Sequence, residues 1–118
     1  MAAGIYCIKN VVNGRVYVGQ SSDLFRRRKQ HFEALKHGEH RNKPMQMDWN
    51  RYGSRAFTWE LLENCDIDQL NDKEQKWIKK LHSRRSEGGY NGDWCPYERT
   101  KVKHKKWKAN HKGIKPKF

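Results

Sequence analysis

Gly4-Ile5-Tyr6-Cys7-Ile8-Lys9-Asn10, then Asn13-Gly14, then Arg15-Val16-Tyr17-Val18-Gly19-Gln20 is the stretch on which the fold reading turns. Two short runs rich in β-branched and aromatic residues flank an Asn-Gly pair. That pair tolerates positive φ, which makes it a strong local signal for a type I′ hairpin turn. The flanking runs, 4–10 and 15–20, are therefore expected to form antiparallel strands. With a turn centred on Asn13-Gly14, paired positions sum to 27, so Asn10 faces Tyr17 and Ile8 faces Gly19. Side chains alternate between faces along a strand. Tyr6, Ile8, Asn10, Tyr17 and Gly19 then share one face, with the two tyrosines about four residues apart along it. A glycine inside a strand marks close approach of a ligand or another backbone, so Gly19 joins the tyrosines as a position of interest.

Working outward, Ser21 or Ser22 is expected to cap a helix that runs to about His37 and stops at Gly38. Asn42 and Pro44 open a second, shorter helix, closed by Gly53. Residues 57–62 are predicted as a third strand. A last helix is predicted over 68–84, with Gly88-Gly89 ending it. The order β-β-α-α-β-α implies an α+β class, with a small three-stranded antiparallel sheet flanked by helices.

The chain has 118 residues, of which 35% are hydrophobic, enough for one domain with a small core. Lysine and arginine total 26 against 13 acidic residues, a net charge of +13 that points to a polyanionic partner. The charge is uneven. Residues 93–118 hold eight lysines and one arginine against one aspartate and one glutamate, a net +7. That segment has few aliphatic residues and cannot bury a core of its own. The expected organisation is a folded domain over 1–92 and a basic, lysine-rich arm over 93–118. In the arm, Lys101, Lys103, Lys105, Lys106 and Lys108 are candidate DNA contacts. No apolar run is long enough to span a bilayer, so no membrane association is expected, and no signal-peptide pattern opens the chain. Cys7, Cys65 and Cys95 lie far apart with no CxxC, which fits a reducing, cytoplasmic compartment and no zinc site.

Arg27 and His31 are four residues apart and project from one face of the first helix. Arg26, Arg28 and Lys29 beside them form a basic face suited to phosphates. His40 lies just downstream, within reach of the same place. On the last helix Leu70, Trp77, Ile78 and Leu81 make an apolar face, and Glu74 falls on it. An ionised carboxylate there is costly unless it is paired or holds a metal. Two readings stay open: a salt bridge to an arginine such as Arg27, or a metal ligand. Asn91 follows Gly88-Gly89-Tyr90, where a turn is expected.

Gly4-Ile5-Tyr6 followed by Tyr17-Val18-Gly19 resembles the two-part signature of the GIY-YIG nucleases, with Val18 in place of the usual isoleucine. Arg27, His31, Glu74 and Asn91 match the family's later positions in order, and His40 matches a histidine of the homing-endonuclease branch. The resemblance covers about residues 3–92 and is greatest to catalytic domains of phage and intron-encoded homing endonucleases. It implies a metal-dependent DNA endonuclease acting on double-stranded DNA. Glu74 would hold one divalent ion, Mg²⁺ with Mn²⁺ as a substitute, and no small-molecule cofactor is needed. Arg27 would bind a nonbridging oxygen. Tyr6 is the candidate general base, Tyr17 would orient water or phosphate, His31 would relay the proton and Asn91 would buttress the site. In the tail, Glu98-Arg99-Thr100-Lys101 and the run 109–116 resemble short modular DNA-binding motifs, and an electrostatic arm explains them equally. The expected state is a monomer, either stand-alone or part of something longer. The competing reading is a noncatalytic basic DNA- or RNA-binding protein on the same scaffold, which would have no need for an acid beside a phosphate.

Overall fold

The computed structural model describes residues 2–92. The basic arm, with Cys95 and its five singled-out lysines, lies outside the described residues. Strand β1 (Gly4–Asn10) and strand β2 (Val16–Ser21) are followed by helix α1 (Leu24–Lys36) and helix α2 (Lys43–Tyr52). Strand β3 (Phe57–Asn64) and helix α3 (Leu70–Leu81) complete the set. The sheet order is β2-β1-β3, antiparallel throughout. This is the expected α+β architecture.

The central strand is apolar on both faces because both are covered. Tyr6 and Ile8 pack with Leu24, Leu35, Met45 and Phe57 against α1 and α2. Ile5, Cys7 and Val18 pack with Leu70 and Ile78 of α3 on the other side. The helices thus form two layers around the sheet.

The hairpin differs from expectation. Tyr6 pairs with Gly19 and Ile8 with Tyr17, so partners sum to 25 and the register is shifted by two residues from the predicted one. The connection is a four-residue loop, not a two-residue one. The Gly14 N–H bonds to the Asn10 carbonyl at 2.8 Å, and the Asn10 N–H bonds to the Arg15 carbonyl at 2.9 Å. Asn10 Oδ1 also accepts from the Val12 N–H at 2.9 Å, so two asparagines organise the loop, with Gly14 alone at positive φ. A two-residue slip preserves the pleat, so the shared face of Tyr6, Ile8, Asn10, Tyr17 and Gly19 survives.

Helix ends were also displaced from their expected positions. Asp23, not Ser21 or Ser22, caps α1 by accepting from the Arg26 N–H. Ser21 serves one step earlier, where its Oγ accepts from the Asp23 N–H at 2.9 Å. Helix α3 stops at His82, which adopts a left-handed conformation at φ 52°, well before the glycine pair. Helix α2 has the expected Asn42 cap and Gly53 terminus.

Residues 90–91 return to the free edge of β2. The Tyr90 N–H bonds to the Val16 carbonyl, and the Asn91 amide makes two bonds to the Val18 main chain. Arg15 fastens this return from below, donating to the Gly88 and Gly89 carbonyls and to Asp48 Oδ2, with its guanidinium over the Tyr90 ring. The β2 edge is thereby closed at Val16 and Val18, which satisfies backbone groups that would otherwise be unpaired. Replacing Asn91 with alanine strands a buried N–H and carbonyl of Val18. Chemical denaturation should show a loss of about 1–3 kcal/mol.

Candidate active site

A cavity of about 600 Å³ opens where α1, the edge of β2 and α3 meet. Tyr6, Tyr17, Arg27, His31, His40 and Glu74 all line it. The topology explains how six residues from five segments converge. Tyr6 and Tyr17 share the α1-facing side of the hairpin, with ring centroids 6.5 Å apart. The corrected register places them two residues apart, not four, so their rings meet at one spot. Arg27 and His31 face them from successive turns of α1. Glu74 comes from α3, beneath the opposite face of the sheet, and enters the cavity past the β2 edge.

Gly19 is not a lining residue. A Cβ at this position would run into the Oη and Cζ of Tyr6. The tyrosine lies across the strand at this glycine, and its other flank stacks on Trp59 at 4.3 Å. Asn91 is not in the cavity either. It holds Val18, the residue between Tyr17 and Gly19, and so keeps β2 in place. Arg26, Arg28 and Lys29 are exposed on α1. Arg28 sits over the Trp59 ring at 6.0 Å, and none of the three joins an ion pair among the described residues.

The salt bridge between Glu74 and Arg27 is not formed among the described residues. Glu74 is half-buried, and its Oε1 accepts from Gln20 Nε2 at 3.0 Å. Burial raises its pKa and the Gln20 bond lowers it. Of the two readings open for this carboxylate, ion pairing with Arg27 is thus removed.

Tyr6 is only 2% exposed, yet its hydroxyl reaches the cavity and lies 2.6 Å from His31 Nε2. Burial, then Tyr17, pushes its pKa well above the usual phenol range; Arg27 opposes the shift and Glu74 adds to it. His31 is pulled down to about 3 by burial, His40 and Arg27. Burial lowers His40 too.

Several cavity residues carried no signal in sequence. Arg41 and Arg85 lie in connections, where no periodicity aims a side chain, and both line the cavity. Gln20 could have been found, since alternation from Val18 turns it towards the last helix.

The GIY-YIG catalytic domain model matches residues 2–91. Intron-associated endonuclease 1 of Enterobacteria phage T4 is 38% identical over 103 residues, covering 80% of this chain and 41% of that protein. The chain thus matches about two fifths of that relative's length. The catalytic domain of intron endonuclease I-TevI, in a mutant form, superposes with a TM-score of 0.69 at 38% identity, covering 77% of this chain and 93% of that one. A second structure of the catalytic domain of homing endonuclease I-TevI gives 0.68 at 37% identity, covering 75% and 95%. Fold, cavity and family model define a GIY-YIG-type catalytic domain. The chain belongs to the GIY-YIG catalytic domain family.

His31 is held neutral when folded but titrates near 6.5 when unfolded. The unfolded chain therefore binds a proton that the folded one refuses, and stability falls as pH drops from about 6.5 towards 3. Urea midpoints across that range should show the fall, and His31→Gln should make it shallower. Gly19→Ala should displace the Tyr6 ring and lower stability by about 1–3 kcal/mol, seen as a shifted unfolding midpoint and altered near-UV dichroism.

Proposed function

We propose that the chain is a divalent-metal-dependent endonuclease that hydrolyses phosphodiester bonds of double-stranded DNA. One observation carries the reading: two tyrosines, an arginine and a carboxylate with no ion pair among the described residues line one open cavity bordered by further cations. A module that only bound nucleic acid would gain nothing from a carboxylate there, since it repels phosphate.

The donor set fits a hard cation. No group of three or more His, Cys, Asp or Glu side chains arranged for a metal occurs among the described residues. A single carboxylate suits Mg²⁺, which keeps several waters and takes substrate oxygens as ligands. Mn²⁺ has the same preference for oxygen. Glu74 would hold the ion, with Gln20 fixing the carboxylate. When bound, the ion supplies positive charge at the scissile phosphate and the departing 3′ oxygen.

The chain's own residues do the rest. Arg27 binds a nonbridging phosphate oxygen and offsets the charge that builds in the transition state. Arg41 and Arg85 extend that positive field around the mouth. Tyr6 Oη is the general base towards the attacking water, and Tyr17 orients the water or the phosphate. A phenol with a raised pKa ionises little at neutral pH; Arg27 opposes the rise, and a cation held at Glu74 would oppose it further. The exposed Arg26, Arg28 and Lys29 hold the backbone of the duplex, and the arm over 93–118 adds further phosphate contacts. One cavity per chain cuts one strand at a time. A monomer is therefore a nicking enzyme, and double-strand cleavage needs a second event. The phage relative makes a phage-borne, homing-type or stand-alone role the natural setting, in the cytoplasm of the host.

Supercoiled plasmid incubated with Mg²⁺ or Mn²⁺ should be converted to the open-circular form, and EDTA should stop the reaction. Glu74→Gln should abolish conversion while leaving DNA affinity equal or higher. Lost affinity would assign Glu74 to structure instead. Changing Lys101, Lys103, Lys105, Lys106 and Lys108 together to glutamine in the full chain should weaken binding. It should also flatten the dependence of log affinity on log salt by up to about 4 to 5. An unchanged slope would remove the arm from the interface.

A further inference from the structure

Behind Tyr6 lies a row of hydrogen bonds whose polarity is set at its far end. Asn42, the cap of α2, donates its main-chain N–H to His40 Nδ1 at 3.0 Å. A main-chain N–H can only donate, so that nitrogen carries a lone pair and no proton. The ring proton of His40 is therefore on Nε2, which lies 2.7 Å from His31 Nδ1. His31 accepts there, and its own proton is on Nε2, 2.6 Å from Tyr6 Oη. Each tautomer follows from the one before it.

The anchoring end is well held. His40 is in the connection between α1 and α2, and its N–H donates to Gln46 Oε1 at 2.9 Å. Gln46 Nε2 in turn donates to the Leu35 carbonyl at 3.1 Å and to Asn50 Oδ1 at 3.0 Å, so its oxygen cannot exchange places with its nitrogen without losing both bonds. The imidazole centroids are 5.0 Å apart and the rings nearly parallel, so with the nitrogens at 2.7 Å the two rings lie end to end with the bond in line.

We propose that this relay makes His31 a fixed hydrogen-bond donor to Tyr6, and not the base that deprotonates it, with His40 and the Asn42 main chain as positioning residues. The proposal rests on Tyr6 being the general base. His31 has no vacant lone pair for the Tyr6 proton, because Nδ1 is occupied by His40 and Nε2 already bears hydrogen. The hydroxyl proton leaves instead to water on the open side of the cavity. The phenolate oxygen keeps the Nε2–H bond, takes the proton of the attacking water and becomes a phenol again. A bond from N–H to a charged oxygen is worth more than one to a neutral oxygen, so the donor favours the phenolate over the phenol. Burial of both rings acts in the same direction, by keeping each imidazole neutral.

The test is made on the full chain with ¹⁵N-labelled histidine. Two-bond ¹H–¹⁵N correlations at neutral pH should give His31 and His40 the pattern of Nε2–H with bare Nδ1. An Nδ1–H pattern at either ring overturns the proposal, whatever the enzyme does. His40→Phe should release His31 into a mixture of tautomers, and a His31 signal unchanged in that variant removes His40 from control. Cleavage separates donor from base. Glutamine places an N–H₂ where Nε2–H was and cannot act as a base. His31→Gln should keep nicking within about tenfold of the wild type while His31→Ala loses on the order of 10²–10³-fold. Equal losses in the two variants overturn the donor role. Failure of the nuclease reading would show separately, as no metal-dependent nicking by the wild type with the histidine spectra as expected.

Discussion

Tyr6 crosses β2 at a residue without a side chain, and the rest of the site is arranged around that crossing. Its ring lies between the Gly19 backbone and the indole of Trp59, and its hydroxyl points at His31. The side chain therefore belongs to the core by its ring and to the cavity by its oxygen. Core packing tolerates little displacement, because interiors are as dense as organic crystals. The hydroxyl oxygen inherits that rigidity from the sheet. A site built on loops would have to obtain the same precision from hydrogen bonds alone.

The edge strand explains how residues from both faces of the sheet meet. Tyr6 and Tyr17 are on the side of α1, and α3 packs on the other side. A carboxylate from α3 meets the tyrosines only by passing round an edge, and β2 is that edge. Gln20, which faces α3, ties Glu74 to the strand. The remaining edge groups of β2 are taken by Tyr90 and Asn91, so the strand is closed along one part and open where the cavity lies. Asn91 thus serves the site from outside it, by completing hydrogen bonds that a fourth strand would otherwise make.

Period-two alternation carried more of the site than the turn did. The Asn13-Gly14 signal located a hairpin but misjudged its loop, since the Asn10 side chain competes for the backbone and stretches the connection to four residues. The resulting error was two residues, and an even slip leaves every side chain on its face. The shared face of the tyrosines was therefore legible, while their closeness was not. Helical spacing likewise placed Arg27 with His31, and Glu74 among apolar residues. It could not say that Glu74 would lack an ion pair, because that depends on the path of α3 past the strand edge. The caps shifted for a related reason. Ser21 and Asp23 are both able to cap, and only the strand's end decides which one does. His40 was legible as a residue within reach of the site, but its direct bond to His31 was not, since that needs a loop residue to fold back under a helix.

The distribution of charge bears on what such a cavity is for. Arg27, Arg41 and Arg85 surround the mouth, and the chain as a whole carries +13. A field of that sign gathers polyanions without regard to their sequence. Placing Glu74 inside it costs affinity for phosphate, and burial adds a desolvation cost to the charged form. Its carboxylate accepts from a neutral amide, and no ion pair among the described residues offsets that cost. A carboxylate that weakens ground-state attraction is of use where it gathers positive charge that acts on the reacting phosphate. On the function proposed above, such a carboxylate would suit a site shaped for the transition state in preference to the bound substrate, and would separate this cavity from a merely basic groove on the same sheet.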